Sequence, residues 1–344
     1  MARVETQGHS GNPSTAGPGA MTDESEFAEL TRRYRRELHV HCYRMLASFE
    51  DAEDLVQETF LRAWQKRATY QGRAPFRAWL YRIATNACLD FLARHERRVV
   101  ELSALSPSGQ DTRLSHAEWL QPYPDRLLGA TTPDADADAL VIRRETIELA
   151  FLVALQCLPP KQRAVLILRD VLDWSAEEVA SLLDSSVPSV NGALQRARSA
   201  LQREQPRRDD AIAPGGISEE EMLLAKQYAD AAERLDMEGL TQLLRDDARF
   251  SMPPSPFVSV GNSATVQAWV EGGLGKPPYD DFKCVVTSAN RMPAVAAYTR
   301  KPGDTQYRPF MIDVLRVENG RVAEVTAFEL PGLIDAFALP AVLS

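Results

Sequence analysis

The stretch from Asp173 to Arg198, DWSAEEVASLLDSSVPSVNGALQRAR, constrains the fold more than any other part of this chain. Ser175 stands where it can cap a helix, and Glu178 three residues later would complete a capping box. Asp184 falls where a sharp turn needs a residue that tolerates positive φ, and Pro188 suits the first turn of the helix that follows. The stretch therefore predicts a helix-turn-helix.

The second helix of this pair has a polar face. Its inward stripe is predicted to consist of Val190, Ala193, Leu194 and Ala197. Its outward face, with the capping residue before it, is predicted to consist of Ser186, Val187, Ser189, Asn191, Gln195, Arg196 and Arg198. Hydroxyl, amide and guanidinium groups can read base edges and phosphates in a major groove. An ordinary amphipathic hairpin with a solvated basic face is the alternative interpretation.

Charge is distributed unevenly along the 344 residues, a length that favours two or three domains. The net charge is −9, yet positions 62–98 carry nine Arg or Lys against two acids, a local net charge of +7. Positions 23–58 hold ten acids, and positions 217–344 carry twelve basic against eighteen acidic residues. A basic patch inside an acidic chain indicates nucleic-acid binding.

The cysteines and the terminus exclude several classes of protein. Cys42, Cys88, Cys157 and Cys284 are far apart in the sequence, so we expect reduced thiols, a cytoplasmic protein and no zinc. Positions 1–21 are rich in Gly, Pro, Ser and Thr and are predicted to form a disordered tail, with Met21 as an alternative start. The absence of an 18-residue apolar run argues against a membrane span.

Two helical segments are predicted near the amino terminus. The first has apolar residues at helical spacing from Phe27 to Met45. The second, DAEDLVQETFLRAWQK, exposes an acidic face that includes Asp54, Gln57 and Glu58. Carboxylates favour a helix amino terminus by a few tenths of a kcal/mol, but stability does not require so many of them.

A third helix, FRAWLYRIATNACLDFLARHERR, follows the polar loop ATYQGRAP. Its predicted outer face includes Arg77, Tyr81, Arg82 and Asn86, and the loop contributes Tyr70. Aromatic side chains interleaved with arginine suit single-stranded DNA, because base stacking supplies about 1–3 kcal/mol per base and arginine holds the phosphates. Trp79 is predicted to belong to the core instead.

The three blocks DAEDLVQETFLRAW, FRAWLYRIATNACLDFLARHERR and LPPKQRAVLILRDVLDWSAEEVASLLDSSVPSVNGALQRARSAL resemble conserved regions two and four of bacterial sigma factors of the extracytoplasmic-function class. The resemblance implies a subunit that binds core RNA polymerase and recognises two promoter elements. It implies that Asp54, Gln57 and Glu58 dock on the clamp helices of the largest polymerase subunit. It assigns the minus-ten element to Tyr70, Arg73, Arg77, Tyr81, Arg82 and Asn86, and the minus-thirty-five element to the helix from Ser186 to Arg198.

Domain boundaries follow from composition. Positions 22–98 are expected to form the region-two domain, and positions 99–139 a Pro- and Asp-rich linker that contains WLQPYPDRLL. In this family such a linker threads through the polymerase channels, and the WLQPYPDRLL pattern is associated with a carboxy-terminal extension. Positions 140–205 are expected to form the region-four domain, opening with a helix over 140–155, and 206–218 a second linker.

The last domain, 219–344, has a different pattern. A single helix is predicted over 219–244 with Leu223 and Tyr228 facing inward, followed by a shorter helix near 264–270 and five strand-like runs. Asn319-Gly320 between β-rich runs predicts a hairpin. This arrangement resembles the SnoaL-like cone, an α+β fold shared with ketosteroid isomerases and polyketide cyclases.

The sequence therefore predicts all-α sigma domains followed by an α+β regulatory cone, with no cofactor and no catalysis. The cone pocket candidates are Trp269, Tyr298 and Asp313, with Arg249 as a further neighbour, and Asp313 alone could be a structural carboxylate. An anti-sigma factor or a small-molecule ligand of the cone are possible partners beyond polymerase and promoter DNA. The alternatives are a ligand-sensing helix-turn-helix regulator and an enzyme whose chemistry lies in the cone.

Overall fold

The structure of the chain, a computed structural model, describes residues 24–70, 75–95, 119–128, 147–204, 216–255 and 257–344. We divide them into the first helical domain (24–95), the linker segment (119–128), the second helical domain (147–204) and the cone domain (216–344). The tail and most of the first linker lie outside the described residues, so the predictions made for them stay predictions.

The first helical domain contains α1 (Glu24–Leu46), α2 (Phe49–Lys66) and α3 (Phe76–Arg94), with a short 3-10 turn at Arg67–Thr69. Ser48 caps α2, since its side chain accepts a hydrogen bond from the backbone N–H of Asp51. The apolar residues predicted at helical spacing are buried between the helices, among them Leu38, Cys42, Met45, Leu55 and Val56.

The second helical domain contains α4 (Leu149–Gln156), α5 (Pro160–Leu166), α6 (Ala176–Leu182) and α7 (Val187–Glu204). A π-helical turn, Ile167–Val171, prolongs α5. The predicted capping box is confirmed, because Ser175 and Glu178 exchange hydrogen bonds of 2.7 and 3.1 Å. The predicted turn is also confirmed, with Asp184 at φ 50° between α6 and α7. The helix predicted over 140–155 begins at Leu149, and positions 140–146 lie outside the described residues.

The cone domain opens with α8 (Glu219–Glu233) and α9 (Met237–Leu243), so the prediction of one continuous helix over 219–244 is wrong. The chain turns at Leu235, whose φ is 53°, and Asp236 caps α9 by accepting a hydrogen bond from the N–H of Gly239. The inward placement of Leu223 is also wrong, since 56% of it is exposed, and Leu224 takes the buried position.

The six strands of the cone form one curved sheet in the order β2-β1-β6-β5-β4-β3. They are β1 (Leu244–Ser251), β2 (Val258–Val260), β3 (Phe282–Ala289), β4 (Met292–Thr299), β5 (Arg308–Glu318) and β6 (Arg321–Glu329), with α10 (Asn262–Glu271) after β2 and α11 (Ile334–Phe337) near the end. Only β1 and β6 pair in parallel. The Asn319-Gly320 hairpin is confirmed, with both residues at positive φ between β5 and β6.

The two faces of the sheet pack against different partners. On β5, Met311 and Leu315 belong to a core closed by α8 and α10, whereas Ile312 and Val314 belong to the core of the helical domains. Alternation along a strand explains this division, because successive side chains point to opposite faces. The cone therefore rests with the outer face of its sheet on the helices of the preceding domains.

Candidate nucleic-acid interface

The outward face of α7 is open to solvent. The predicted buried stripe is confirmed and consists of Val190, Ala193, Leu194 and Ala197. The exposed set consists of Ser189, Asn191, Gln195 and Arg196. Amide and hydroxyl groups thus recur on this side over about two turns of helix, with a guanidinium beside them. This arrangement can present donors and acceptors to the edges of successive base pairs.

Three residues at the ends of this face are already engaged within the domain. Ser186 is exposed, but its hydroxyl accepts a hydrogen bond from the N–H of Ser189 at 3.3 Å and so caps the helix. Val187 is half-buried against the core. The guanidinium of Arg198 holds both carboxylate oxygens of Asp170, at 2.8 and 2.7 Å. Arg198 is therefore both exposed and paired.

The face of α3 that was predicted to contact DNA is only partly open. Arg82 and Asn86 are exposed. Arg77 is half-buried, and its Nε lies 3.0 and 3.1 Å from the two carboxylate oxygens of Glu37. Burial alone would lower the pKa of Arg77, but the neighbouring Tyr81 and Glu37 more than offset it and raise it overall. The positive charge of this side chain is thus held in place by a carboxylate of α1.

The prediction that Tyr81 faces outward is wrong. Only 1% of it is exposed, and its ring lies 5.0 Å from the ring of His41 and 5.3 Å from that of Trp174. Trp174 belongs to the second helical domain, so this part of α3 is an interface between domains. Helical spacing cannot distinguish a face that meets water from one that meets another domain.

A second buried contact joins the same two domains. Arg163 of α5 is fully buried, and one of its nitrogens donates to the carbonyl oxygen of Met45 at the end of α1. Other donors of the same guanidinium reach the carbonyl oxygens of Gln156 and Leu158 at 3.1 and 3.2 Å. Burial lowers the pKa of Arg163 to about 9. The charge is thus solvated by carbonyl dipoles from both domains.

The loop before α3 provides an aromatic group. Tyr70 is half-buried, with its ring 5.6 Å from Phe76 and 5.2 Å from Trp79. Trp79 packs against the core as predicted, although it is not fully buried. Arg73 lies outside the described residues. The three rings are inclined to one another, with interplanar angles of 81° for Tyr70–Phe76, 40° for Tyr70–Trp79 and 42° for Phe76–Trp79.

The acidic face of α2 is open at Asp54 and Gln57, both exposed. Glu58 is half-buried and pairs with Arg62 at 2.6 Å, and Arg62 also reaches Asp90 at 3.3 Å. Leu61, one turn beyond Gln57, is 58% exposed. An exposed apolar side chain beside exposed polar groups on one helix face is typical of a protein contact surface. The sequence interpretation missed Leu61, although its spacing from Asp54 and Gln57 was visible.

The structure separates the cone pocket candidates. Asp313 faces the inside of the cone, where it accepts a hydrogen bond from the hydroxyl of Tyr228 at 2.9 Å. Burial raises the pKa of Asp313 to about 6, against the opposing effect of this hydrogen bond. The ring of Trp269 lies 6.4 Å from that of Tyr228 in the same interior. These three side chains therefore share one environment.

Tyr298 and Arg249 do not belong to this group, so their predicted proximity to Asp313 is wrong. Tyr298 points to the outer face of the sheet, is fully buried and donates to the carbonyl oxygen of Pro340 at 2.8 Å. Arg249 alternates with Phe250, which lies in the cone interior. The sequence interpretation missed Tyr228 as the partner of Asp313, since no spacing rule links a helix to a strand 85 residues away.

Two further properties concern the described part of the chain. Its four cysteines are free thiols, three of them buried and Cys284 half-buried. Within those residues, no group of three or more His, Cys, Asp or Glu side chains could hold a metal ion, and no helix has the length and apolar character to cross a membrane.

Comparison with protein families gives three matches along the chain. Residues 30–98 match Sigma-70 region 2, residues 148–201 match Sigma-70 region 4, and residues 225–325 match the SnoaL-like domain. Similarity to a solved structure extends over all parts. The crystal structure of the extracytoplasmic function sigma factor SigJ of Mycobacterium tuberculosis matches 93% of this chain and 100% of its own, with a TM-score of 0.57 and 22% identity, which shows a shared fold.

Two relatives in sequence are sigma factors. The ECF RNA polymerase sigma factor SigG of Mycobacterium tuberculosis is 41% identical over 319 residues, which is 92% of this chain and 84% of that protein. The ECF RNA polymerase sigma factor SigW of Bacillus subtilis is 29% identical over 182 residues, 53% of this chain and 90% of its own. With a helix-turn-helix whose outward face is exposed, and with similarity that extends through the cone, this chain belongs to the extracytoplasmic-function sigma factors of RNA polymerase.

Proposed function

We propose that this chain binds core RNA polymerase and directs it to promoters, and that its cone modulates initiation without catalysis of its own. The observation that carries the proposal is the exposed face of α7, in a chain that also presents Arg82 and Asn86 on α3 and Asp54 and Gln57 on α2. Three open polar faces on three helices correspond to three surfaces that a sigma factor needs. A regulator that binds DNA alone would not need the face on α2.

Run-off transcription with purified core polymerase tests the proposal. Core polymerase supplemented with this chain should start transcripts at defined positions on fragmented genomic DNA, whereas core alone should not. A chain with both Gln195 and Arg196 replaced by Ala serves as the matched control, because these exposed residues lie outside the packed core. Absence of any start that depends on the chain would refute the function.

The face of α7 is proposed to bind the duplex minus-thirty-five element. Asn191 and Gln195 can make paired hydrogen bonds with base edges, and Arg196 can reach a base or a phosphate. Ser186, Val187 and Ser189 lie at the end of the helix that enters the groove first. Arg198 must leave Asp170 before it can contact DNA, so its contribution should be smaller than that of Arg196.

The region around the start of α3 is proposed to bind the melted minus-ten strand. Arg82 and Asn86 are exposed and can contact backbone and base, and Arg73 belongs to the adjoining loop. Tyr70 offers a ring edge beside Phe76 and Trp79, where an unstacked base can be accommodated. Arg77 contributes positive charge while its guanidinium is hydrogen-bonded to the carboxylate of Glu37. Tyr81 takes no part while Trp174 covers it.

The α2 face is proposed to dock on the clamp helices of the largest polymerase subunit. Asp54 and Gln57 would form polar contacts around Leu61, whose exposed side chain would be buried on binding. Glu58 would contribute less, because it already pairs with Arg62. A contact centred on an exposed leucine is less sensitive to salt than one made only of charges.

The cone is proposed to act by contact and not by chemistry. Its outer sheet face packs on the helical domains, and Asp313 is paired with Tyr228 in an interior of mostly aliphatic side chains. A small molecule that binds this interior would compete with the Asp313–Tyr228 hydrogen bond. Turnover of a substrate that ceases in Asp313→Asn would favour the enzyme alternative.

A further inference from the structure

The turn between β3 and β4 differs from an ordinary hairpin turn. It consists of Asn290 and Arg291, with φ values of 54° and 61°. Asparagine tolerates this conformation better than most residues, which allows a tight two-residue connection. Hairpin turns normally lie in solvent, as Asn319 does between β5 and β6, but Asn290 is completely buried. Its burial places a polar amide inside the protein.

The hydrogen bonds of Asn290 described below are made to residues outside the cone. Its Nδ2 donates to the hydroxyl of Tyr43 at 2.9 Å and to the carbonyl oxygen of Ile147 at 2.7 Å. Its Oδ1 accepts from the N–H of Tyr123 at 2.8 Å, and its own N–H donates to the carbonyl oxygen of Tyr123 at 2.9 Å. One side chain thus joins the first helical domain, the linker segment and the start of the second helical domain.

Neighbouring contacts hold the linker segment against the cone. Asp125 accepts a hydrogen bond from the N–H of Arg291 at 2.8 Å, and Pro124 forms a bridge with Ala289. Arg126 donates to the carbonyl oxygens of Ala336 and Asp335 in α11, at 2.6 and 2.8 Å. The linker segment is therefore fixed along several residues at the tip of the β3-β4 hairpin.

The other side of the linker segment binds the first helical domain. The N–H of Gln121 donates to the carbonyl oxygen of Ala47 at 3.0 Å, and the hydroxyl of Tyr43 donates to the carbonyl oxygen of Gln121 at 2.7 Å. Tyr43 therefore bonds both to the linker segment and to Asn290. Separation of any one of the joined parts would leave buried polar groups without partners, which disfavours partial opening.

We propose that the Asn290 turn is a latch that keeps the linker segment and both helical domains in the closed arrangement described here. The inference rests on the proposed role of the linker in the polymerase channels, because the linker segment must leave the cone before it can enter them. The latch has three simultaneous partners, so its loss favours release of the linker segment and separation of the second helical domain from α3, against the contacts that remain. The cone would thereby set the fraction of molecules that can bind polymerase.

Asn290→Gly tests the latch, and Asn319→Gly is its matched control. Glycine accepts positive φ, so both variants keep their hairpins, but only the first deletes an amide with three partners outside the cone. The measurement is tryptic cleavage of the Arg126–Leu127 bond in the full chain, followed by mass spectrometry. Arg126 lies in a 3-10 turn, and a protease needs that turn to unfold.

We expect cleavage at Arg126 to rise by about fivefold for each net hydrogen bond lost in Asn290→Gly, and to stay unchanged in Asn319→Gly. Asn290→Asp keeps the acceptor for Tyr123 but loses both Nδ2 donors, and Tyr43→Phe removes one partner from the opposite side. Both should show intermediate rates with unchanged β-sheet circular dichroism. Equal rates in Asn290→Gly and Asn319→Gly would overturn the latch, whether or not the chain supports transcription.

The link to polymerase has a separate readout. Release of the latch should raise the apparent affinity for core polymerase by the same factor as the cleavage rate. The reason is that a larger fraction of the molecules can then bind polymerase. Faster cleavage with unchanged core affinity would overturn the role in polymerase binding. If neither the parent chain nor the variant binds core, the sigma function fails, and the cleavage result still decides whether the latch exists.

Discussion

The two helices proposed to contact DNA, α3 and α7, differ in how much of their outward face is open. On α7 the exposed set runs from Ser189 to Arg196, and the buried stripe lies on the opposite side. On α3 only Arg82 and Asn86 are open, while Tyr81 is buried under Trp174. The outward face of α7 is thus accessible in this arrangement, whereas that of α3 is partly covered by the second helical domain.

Removal of the Trp174 ring should have the largest effect, because this ring covers Tyr81 on α3. Trp174→Ala should lower the free energy of unfolding by about 3 kcal/mol, as large-to-small core changes do, and should raise the affinity for a single-stranded minus-ten oligonucleotide. Trp269→Ala in the cone is the control and should destabilise the protein without changing that affinity. Urea unfolding and fluorescence anisotropy measure the two effects. Unchanged oligonucleotide affinity in Trp174→Ala would show that α3 is not masked.

A charge reversal on α2 separates polymerase binding from both DNA helices. Asp54→Lys, with Leu61→Ala, should weaken core association by about 2–3 kcal/mol, since it removes an apolar centre and adds a repelled charge. Duplex DNA binding by the free chain should not change. Glu58→Lys is the comparison variant, and the Arg62 pairing predicts a smaller loss. The affinity is measured by titration of the labelled chain against core polymerase. An unaltered affinity in the Asp54→Lys, Leu61→Ala variant would contradict the assignment of the α2 face to polymerase binding.

A matched pair of exposed asparagines sharpens the division of labour. Asn86→Ala should reduce permanganate reactivity of the promoter bubble and leave duplex binding intact, because Asn86 lies on α3. Asn191→Ala should weaken duplex binding by about 1–3 kcal/mol, the cost of losing one bidentate base contact, and leave strand binding intact. Equal behaviour of both variants in the two assays would abolish the distinction between the helices.

Release of Arg198 should have the smallest effect. Asp170→Asn removes the carboxylate that accepts hydrogen bonds from Nε and Nη2 of Arg198. One more positive charge then becomes available to a phosphate. The salt dependence of duplex binding should then steepen by about one unit of slope, with a gain in affinity of a few-fold at low salt. Arg198→Ala in the same background should cancel the gain. A slope that stays at its original value would mean that Arg198 does not reach the DNA.

Local chemistry accounts for what could be predicted from the sequence. The capping box of Ser175 and Glu178, the positive φ of Asp184 and the Asn319-Gly320 hairpin each depend on residues that are close in the chain. The buried stripe of α7 follows from the period of the helix. Such features are specified by backbone sterics and short-range hydrogen bonds, and the resemblance to sigma factors rests on the same segments.

The rest was decided by tertiary structure, because it depends on surfaces that meet from distant parts of the chain. Periodicity marks Tyr81 as outward from its own domain, but only packing shows that Trp174 stands there. Alternation places Tyr298 and Asp313 on strands without telling which face belongs to the cone interior. Asn290 was not singled out from the sequence, because its burial among Tyr43, Tyr123 and Ile147 arises only when the cone docks. Sequence thus determined the helices and the chemistry of their outward faces, whereas contacts between positions far apart in the chain, such as that of Tyr81 with Trp174, decided which of those faces remain open.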